Sequence, residues 1–259
     1  MLNEVTVITH NGPYHADDVL AVAFLKYYAV KKIIWVERRQ PTPEELDNPL
    51  VFVLDIGGIY NPSKKNFDHH NNGETRSTVY QLCKYLFSPE LFAKLEKHIL
   101  IPVSNHDLGI TRQGPGSISN IISGFNNLKS FNECVEWCIP MVNMFVKNAI
   151  KSIADEKRWP KLTKSNGVAI NESEDYIANW HELAYQDNIM FLVCPGRDPG
   201  TWQVVSRDTT KFTIPSNAGQ HIVFSTGHVI VFDDFAYAVA MADEYSNMYA
   251  KTIEHEADE

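Results

Sequence analysis

The chain has few cysteines, no CxxC pair, no single-residue tract and no apolar run near the ~20 residues that span a bilayer. Cys83, Cys134, Cys138 and Cys194 form neither a disulfide framework nor a zinc-type spacing, so they read as buried thiols of a reducing compartment. Basic charge is also scarce. Lys and Arg number 23 against 32 Asp and Glu, a net charge of -9, which excludes coating long nucleic acid by wholesale phosphate neutralisation. A short anionic substrate stays open, because divalent ions bound in one acidic pocket reverse the local field. Residues 1 to 10 carry Glu4 and alternate polar with apolar, unlike a signal or Arg-rich transit peptide, so the expected location is cytoplasmic.

What is present fits an ordered protein with a sizeable core: 44% hydrophobic and 21% charged residues over a length that suits one large or two modest domains. Val5 to Thr9 reads as a β-branched buried strand, and His15 to Tyr28 follows with Val19, Leu20, Ala23, Phe24 and Tyr27 at helical spacing. Ile33 to Val36 and Leu50 to Leu54 are further strand candidates, the latter ending in Asp55 before Gly57-Gly58. Residues 76 to 101 read as two helices broken at Pro89, and 104 to 117 as a polar loop carrying Asp107. From Ser117 to Trp159 the pattern is helical, with Val135, Ile139, Val142, Phe145, Val146 and Ala149 on one stripe and Pro140 within it. The polar segment Lys161 to Ser173 is the expected boundary between domains 1–160 and 161–259. Beyond it, Ile189 to Val193, Trp202 to Ser206, Ile222 to Phe224 and Val229 to Phe232 read as strands before a helix over Phe235 to Tyr249, a small α+β domain.

The first 107 residues hold many metal-capable side chains: His10, His15, Asp17, Asp18, Asp55, Asp68-His69-His70 and His106-Asp107. Any one of them is more often a surface or capping residue than a ligand, and Asp17 with Asp18 suits a helix N-terminus without any metal. The set is harder to dismiss. His10 and Asp55 follow strands, where open α/β sheets form their ligand crevices, while His15 and Asp17 open the intervening helix. Mixed imidazole and carboxylate ligation suits Mn, Fe, Co or Zn better than Mg or Ca. If the segment is extended, His69 and His70 point apart, one towards metal and one towards substrate, and Asp68 fixes the tautomer of a histidine.

The stretch Thr9-His10-Asn11-Gly12-Pro13-Tyr14-His15-Ala16-Asp17, then Asp55-Ile56-Gly57-Gly58-Ile59-Tyr60, then Phe67-Asp68-His69-His70, resembles the melanocyte-proliferating-gene (MYG) family of the DHH phosphoesterase superfamily. The resemblance continues at low specificity to Trp180-His181-Glu182-Leu183 and Gly200-Thr201-Trp202-Gln203-Val204. It implies an α/β fold: a parallel-sheet DHH-type catalytic domain with a helical connector, a smaller α+β substrate-binding domain, and an active site in the cleft between them. It further implies two divalent ions, one on His10, His15 and Asp55, the other on Asp17, Asp55, His69 and Asp107, with Asp55 bridging and His70 close to substrate. The catalytic set would then be His70, Asp55 and Asp68. Asp107 stands in an Asn-His-Asp-Leu-Gly context where the family has Ile-Asp-Asn-Gly, so His106 competes for that role. Near the C-terminus the family's paired glycines are absent, and Phe224-Ser225-Thr226-Gly227-His228 stands in their place.

The activity expected from this resemblance is hydrolysis of phosphodiester bonds by a hydroxide generated between the ions, as a 3′ to 5′ exonuclease on RNA or short oligonucleotides. Manganese is the first choice of metal, with Mg, Co, Fe or Zn as alternatives. Substrate-binding candidates are Arg76, Arg197, Arg207, Lys211, His221 and His228. A small-nucleotide phosphatase or pyrophosphatase on the same centre is one rival. A module that binds a nucleotide or partner without turnover is another.

Overall fold

The computed structural model describes residues 4–70, 76–215 and 221–257. The chain divides into two compact units, Met1–Ile150 and Lys151–Glu259. Each is a mixed α/β structure around its own sheet.

In the first unit, β1 (Glu4–Thr9) leads through a loop into α1 (Ala16–Tyr28), then β2 (Ile33–Arg38), the single turn α2 (Pro43–Leu46) and β3 (Val51–Leu54). The two-residue strands β4 (Tyr60–Asn61) and β5 (Asn66–Phe67) complete the sheet in the order β2-β1-β3-β5-β4, parallel except for β4. Alternation sorts the strand residues. Val5, Val7, Phe52, Leu54 and Phe67 enter the main core, whereas Ile8, Val51 and Val53 pack with Ile56 and Leu46 on the other face. Each such fully buried side chain contributes about 1.5–3 kcal/mol.

Helix α1 is buried at every residue from Ala16 to Leu25, as expected for the all-apolar run Val19 to Leu25, and its first turn buries Asp17 and Asp18 as well. It packs against α3 (Thr78–Leu86), α5 (Ile101–Asp107) and α6 (Ile118–Gly124). Between these, α4 (Pro89–Leu95) starts with Ser88 as its N-cap and continues through a π-helical turn, Glu96–Leu100, directly into α5. Asp107 therefore ends a helix instead of sitting in the expected polar loop. Buried Val103 and Ser104 hold that turn against the core, so its polarity reflects what it carries and not exposure.

Helix α7 (Phe131–Arg158) contains Pro140 and buries Val135, Val142, Val146 and Ala149. The stretch Lys161 to Ser173 contains a hairpin, β6 (Thr163–Ser165) and β7 (Val168–Ile170). Asn166 and Gly167 turn it with φ of 48° and 70°, conformations suited to Asn-Gly. Then come α8 (Trp180–Gln186), β8 (Phe191–Pro195), β9 (Trp202–Ser206), β10 (Ile222–Ser225), β11 (Val229–Phe232) and α9 (Phe235–Ala257). The second sheet runs β10-β11-β9-β8-β7-β6. Phe191 and Val193 face the α9 cluster, while Leu192 and Cys194 face the cluster around Trp180. Among the described residues, no helix is long and apolar enough to cross a membrane.

Candidate metal centre

Parallel pairing of β1 with β3 brings His10 and Asp55 to the same end of the first sheet, one residue past each strand. Asp55 is buried and takes φ +58°, a left-handed conformation that Asp tolerates better than most side chains. Its backbone N–H bonds Phe67 O at 2.9 Å, which ties β3 to the Asp68-His69-His70 segment. Gly57 and Gly58 follow at φ +95° and +70°. A Cβ at Gly57 would stand 3.1 Å from Leu46, so both conformation and space require glycine there.

The first turn of α1 supplies two carboxylates, Asp17 and Asp18, each 0% exposed. Burying a carboxylate costs several kcal/mol unless it is paired. Asp17 accepts the N–H groups of Thr78 and Val79 at 2.8 and 2.7 Å, the N-terminus of α3. Asp18 accepts the N–H groups of His15 and Val19 at 2.8 and 2.9 Å, closing the start of α1. Its other oxygen lies 3.0 Å from His10 Nε2.

At the centre, His69 Nε2 lies 3.2 Å from Asp107 Oδ2, 3.3 Å from Asp55 Oδ1 and 3.8 Å from Asp17 Oδ2. It is buried and aligned for a hydrogen bond with none of them. Three carboxylates around one orphaned nitrogen form a cavity for positive charge. A proton fits that role: burial pushes the imidazole down, but Asp107 and Asp55 outweigh it and hold His69 at about 10. Burial, Asp107 and Asp55 push Asp17 well above the carboxylate range. For Asp55, burial is outweighed by His69, His70 and His10, which hold it below that range.

The same groups could hold a divalent cation in place of the proton. The donor atoms of Asp17, His69 and Asp107 lie within 4.8 Å of one another, as do those of Asp55, His69 and His70. His10 approaches Asp55 Oδ2 at 3.6 Å, and half-exposed His15 approaches Asp107 Oδ1 at 4.0 Å. Their rings are 5.9 Å apart.

His69 and His70 do not point apart. Their ring centroids lie 4.3 Å from each other with planes 31° apart, because the chain has left β5 and strand alternation no longer applies. They differ in exposure, 9% against 57%. Asp68 meets the Nδ1 of His70 at 2.7 Å, accepts its backbone N–H at 3.1 Å and accepts Gly58 N–H at 2.6 Å. A carboxylate there makes Nδ1 the protonated nitrogen, leaving Nε2 as the acceptor. The polar turn Asn71-Asn72-Gly73 lies outside the described residues. Beside His70, a depression of about 550 Å³ is lined by His10, Gly12, His15, Gln40, Gly57 and Gly58.

Between the rival residues, Asp107 joins the cluster, while His106 accepts Gln113 N–H through Nδ1 at 3.4 Å. Arg76 donates to Asn105 Oδ1 at 3.3 Å and lies over Tyr80. In the second unit, Arg207, Lys211 and His228 share a depression of about 490 Å³ with His181, a residue that composition and spacing left unmarked. Arg207 is fixed by Ala184 O at 3.1 Å. Exposed Arg197 stands outside that group, and His221 pairs instead with Asp233 at 2.7 Å. Thr78, whose hydroxyl lies 3.2 Å from Asp55 Oδ1 and 3.1 Å from Phe67 O, had no motif to mark it.

A family model described as "Uncharacterised protein family (UPF0160)", named MYG1_exonuc, matches residues 6–88. Over these residues the chain is similar to the MYG1 family. It is 40% identical to the MYG1 exonuclease of Mus musculus over 78 residues, 29% of this chain and 19% of that protein. It is 37% identical to a MYG1 protein of Dictyostelium discoideum over 79 residues, 29% of this chain and 22% of that one. A MYG1 protein of Chlamydia muridarum (strain MoPn / Nigg) is 27% identical over 201 residues, covering 72% of this chain and 67% of the relative. The matched stretches thus span about a fifth of the first two relatives. The MYG1 family model covers β1 to α3 and with it His10, His15, Asp17, Asp55, His69 and His70, but not Asp107, which only the fold brings to the others.

Proposed function

We propose that this chain is a divalent-metal-dependent phosphoesterase that hydrolyses phosphodiester bonds, working as a 3′ to 5′ exonuclease on RNA or short oligonucleotides. The observation that carries the reading is buried His69 Nε2, without a hydrogen bond, facing Asp17, Asp55 and Asp107. The printed name of the mouse relative, MYG1 exonuclease, supports the class of reaction. Divalent ions, Mn first among them, would supply when bound the acidity that makes water a nucleophile near neutral pH and the charge that stabilises a phosphoryl group.

Asp17, Asp55, His69 and Asp107 would hold one ion, and His10, His15 and Asp55 the other. Thr78 restrains Asp55 through its hydroxyl. Asp68 orients His70 through Nδ1, so that Nε2 is the atom left to exchange a proton with the substrate or stabilise its charge. In the second unit, residues 161–259 are the proposed substrate-binding domain, with Arg207, Lys211 and His228 as its grouped cations. Four buried free thiols support a reducing, cytoplasmic setting.

The test is cleavage of a short 5′-labelled RNA by purified protein with added Mn, with metal-free protein and Asp55→Ala as controls. A ladder shortening one nucleotide at a time from the 3′ end, absent from both controls, is the expected result. An intact RNA alongside hydrolysis of mononucleotides or pyrophosphate would replace the exonuclease reading with a small-nucleotide phosphatase. Inertness towards all of them would favour a binding module.

A further inference from the structure

The candidate ligands are supported in two different ways. Asp17 is fixed by the N-terminus of α3, Asp107 by the last turn of α5, and Asp55 by its bond to Phe67. His10 and His15, by contrast, flank an irregular segment, 11–14, that is neither helix nor strand. Among the described residues, two side chains meet its backbone. Arg38 donates from Nε to His10 O at 3.0 Å and from Nη2 to Gly12 O at 2.5 Å. Its guanidinium lies over the rings of Phe131 and Tyr14, with centroids 4.8 and 5.8 Å away.

Asn126 grips the other end with both amide atoms: Oδ1 accepts Tyr14 N–H at 2.8 Å and Nδ2 donates to Tyr14 O at 2.8 Å. The side chain thereby does what a neighbouring strand would do. Arg38 reaches the loop because the β1–β2 register places it opposite Thr9, immediately before His10. A planar fork that bonds two carbonyls while stacking on aromatic faces is specific to arginine.

We propose that Arg38 and Asn126 are positioning residues that hold the His10–His15 loop in its ligating geometry, and that the ion served by His10 and His15 is the weaker of two and fills second. This rests on the two-ion reading. The order follows from charge and support. The His69 side gathers Asp17, Asp55 and Asp107, whereas the loop side offers two imidazoles and must share Asp55. His10 Nε2 also lies nearest Asp18, so an ion must take it from that carboxylate.

The experiment is Mn titration by calorimetry of the full chain, the Arg38→Met, Arg38→Lys and Asn126→Ala variants, with amide exchange over residues 10–15 and a thermal melt for each. Expected for the unaltered chain are two ions of unequal affinity. Arg38→Met and Asn126→Ala should weaken only the looser ion, by about 10–100-fold as removal of a ligand's supporting partner does, and speed exchange in the loop. Arg38→Lys should fall between. Equal weakening of both ions, or slack exchange with both ions retained, overturns the proposal. Fewer than two ions on the unaltered chain overturns the two-ion reading itself and this inference with it. A variant that melts at the assay temperature leaves the decision to Arg38→Lys, where an undiminished second ion again overturns it.

Discussion

The two units treat their polar side chains in opposite ways. In the first, Asp17, Asp18, Asp55 and His69 are withdrawn from water at the end of the sheet, and His69 Nε2 is left with no hydrogen bond. In the second, charged candidates sit at the surface or have ordinary partners: exposed Arg197 and Lys211, His221 on Asp233, Arg207 on a carbonyl. Ionisable side chains occur in both places, but only the first group combines burial with carboxylates crowded around one imidazole. Desolvated charge of this kind is costly to fold and makes the cluster the candidate site.

The sharpest way to break this contrast is Asp55→Asn, which keeps size and suits φ +58°. It should reduce hydrolysis to background and weaken both ions, read by activity and by direct metal analysis. Retained activity would show that the buried cluster is structural. Next comes His70→Ala. A half-exposed ring that Asp68 orients should lower turnover by about 10²–10⁴-fold with metal content largely kept. Loss of metal equal to that of Asp55→Asn would instead make His70 a ligand, for which its place beside Asp55 and His69 leaves room.

A smaller effect concerns pH and the metal-free protein. His69 stands at about 10 against an ordinary 6.5, so its contribution to stability is complete below about 6.5 and is lost as pH climbs to about 10. Asp17 and Asp18, raised first of all by burial, carry the same sign: the folded molecule holds protons the unfolded chain has released, so rising pH costs stability. Asp55, lowered, works the other way at the acid end, its contribution being lost as pH falls below the usual carboxylate range. Melting temperature without metal should therefore decline from about pH 6.5 upward to about 10. A bound divalent ion should flatten that decline, since a ligating nitrogen carries no proton. Parallel slopes with and without ion would mean that the ion does not meet His69.

Much of this was legible in the residues. The β-branched run before His10, the apolar run before Asp55 and the helical spacing from Val19 onward fix three neighbouring elements, and parallel pairing then brings their ends together. What escaped was structure whose polarity serves a site or a turn. The Ser104 to Asp107 stretch looks like a loop because its polar atoms face functional neighbours, and the β6–β7 hairpin looks like a linker because its strands are three residues long. The mutual approach of the His69 and His70 rings depends on where β5 stops, at Phe67, which no periodicity over two residues can disclose. Arg38 and Asn126 escaped for a different reason: both act on backbone atoms of distant residues, and such partners leave no spacing signal.

The smallest expected effects lie in the second unit, and they bear on whether its scattered cations matter. Arg197→Ala removes an exposed side chain, and His221→Ala removes one partner of a surface ion pair. Exposed pairs contribute about 0–1 kcal/mol, so melting should barely move. Hydrolysis of short RNA should stay within about twofold for both, given that surface substitutions remote from a site change free energies by only about 0.5 kcal/mol. Lys211→Ala offers the internal comparison, because Lys211 shares its depression with Arg207, His181 and His228. If the proposed substrate-binding role is right, it should raise KM more than it lowers kcat, with the effect shrinking as salt screens the contact. A KM shift in Arg197→Ala as large as that in Lys211→Ala would mean that diffuse charge, and not the grouped residues, attracts the substrate.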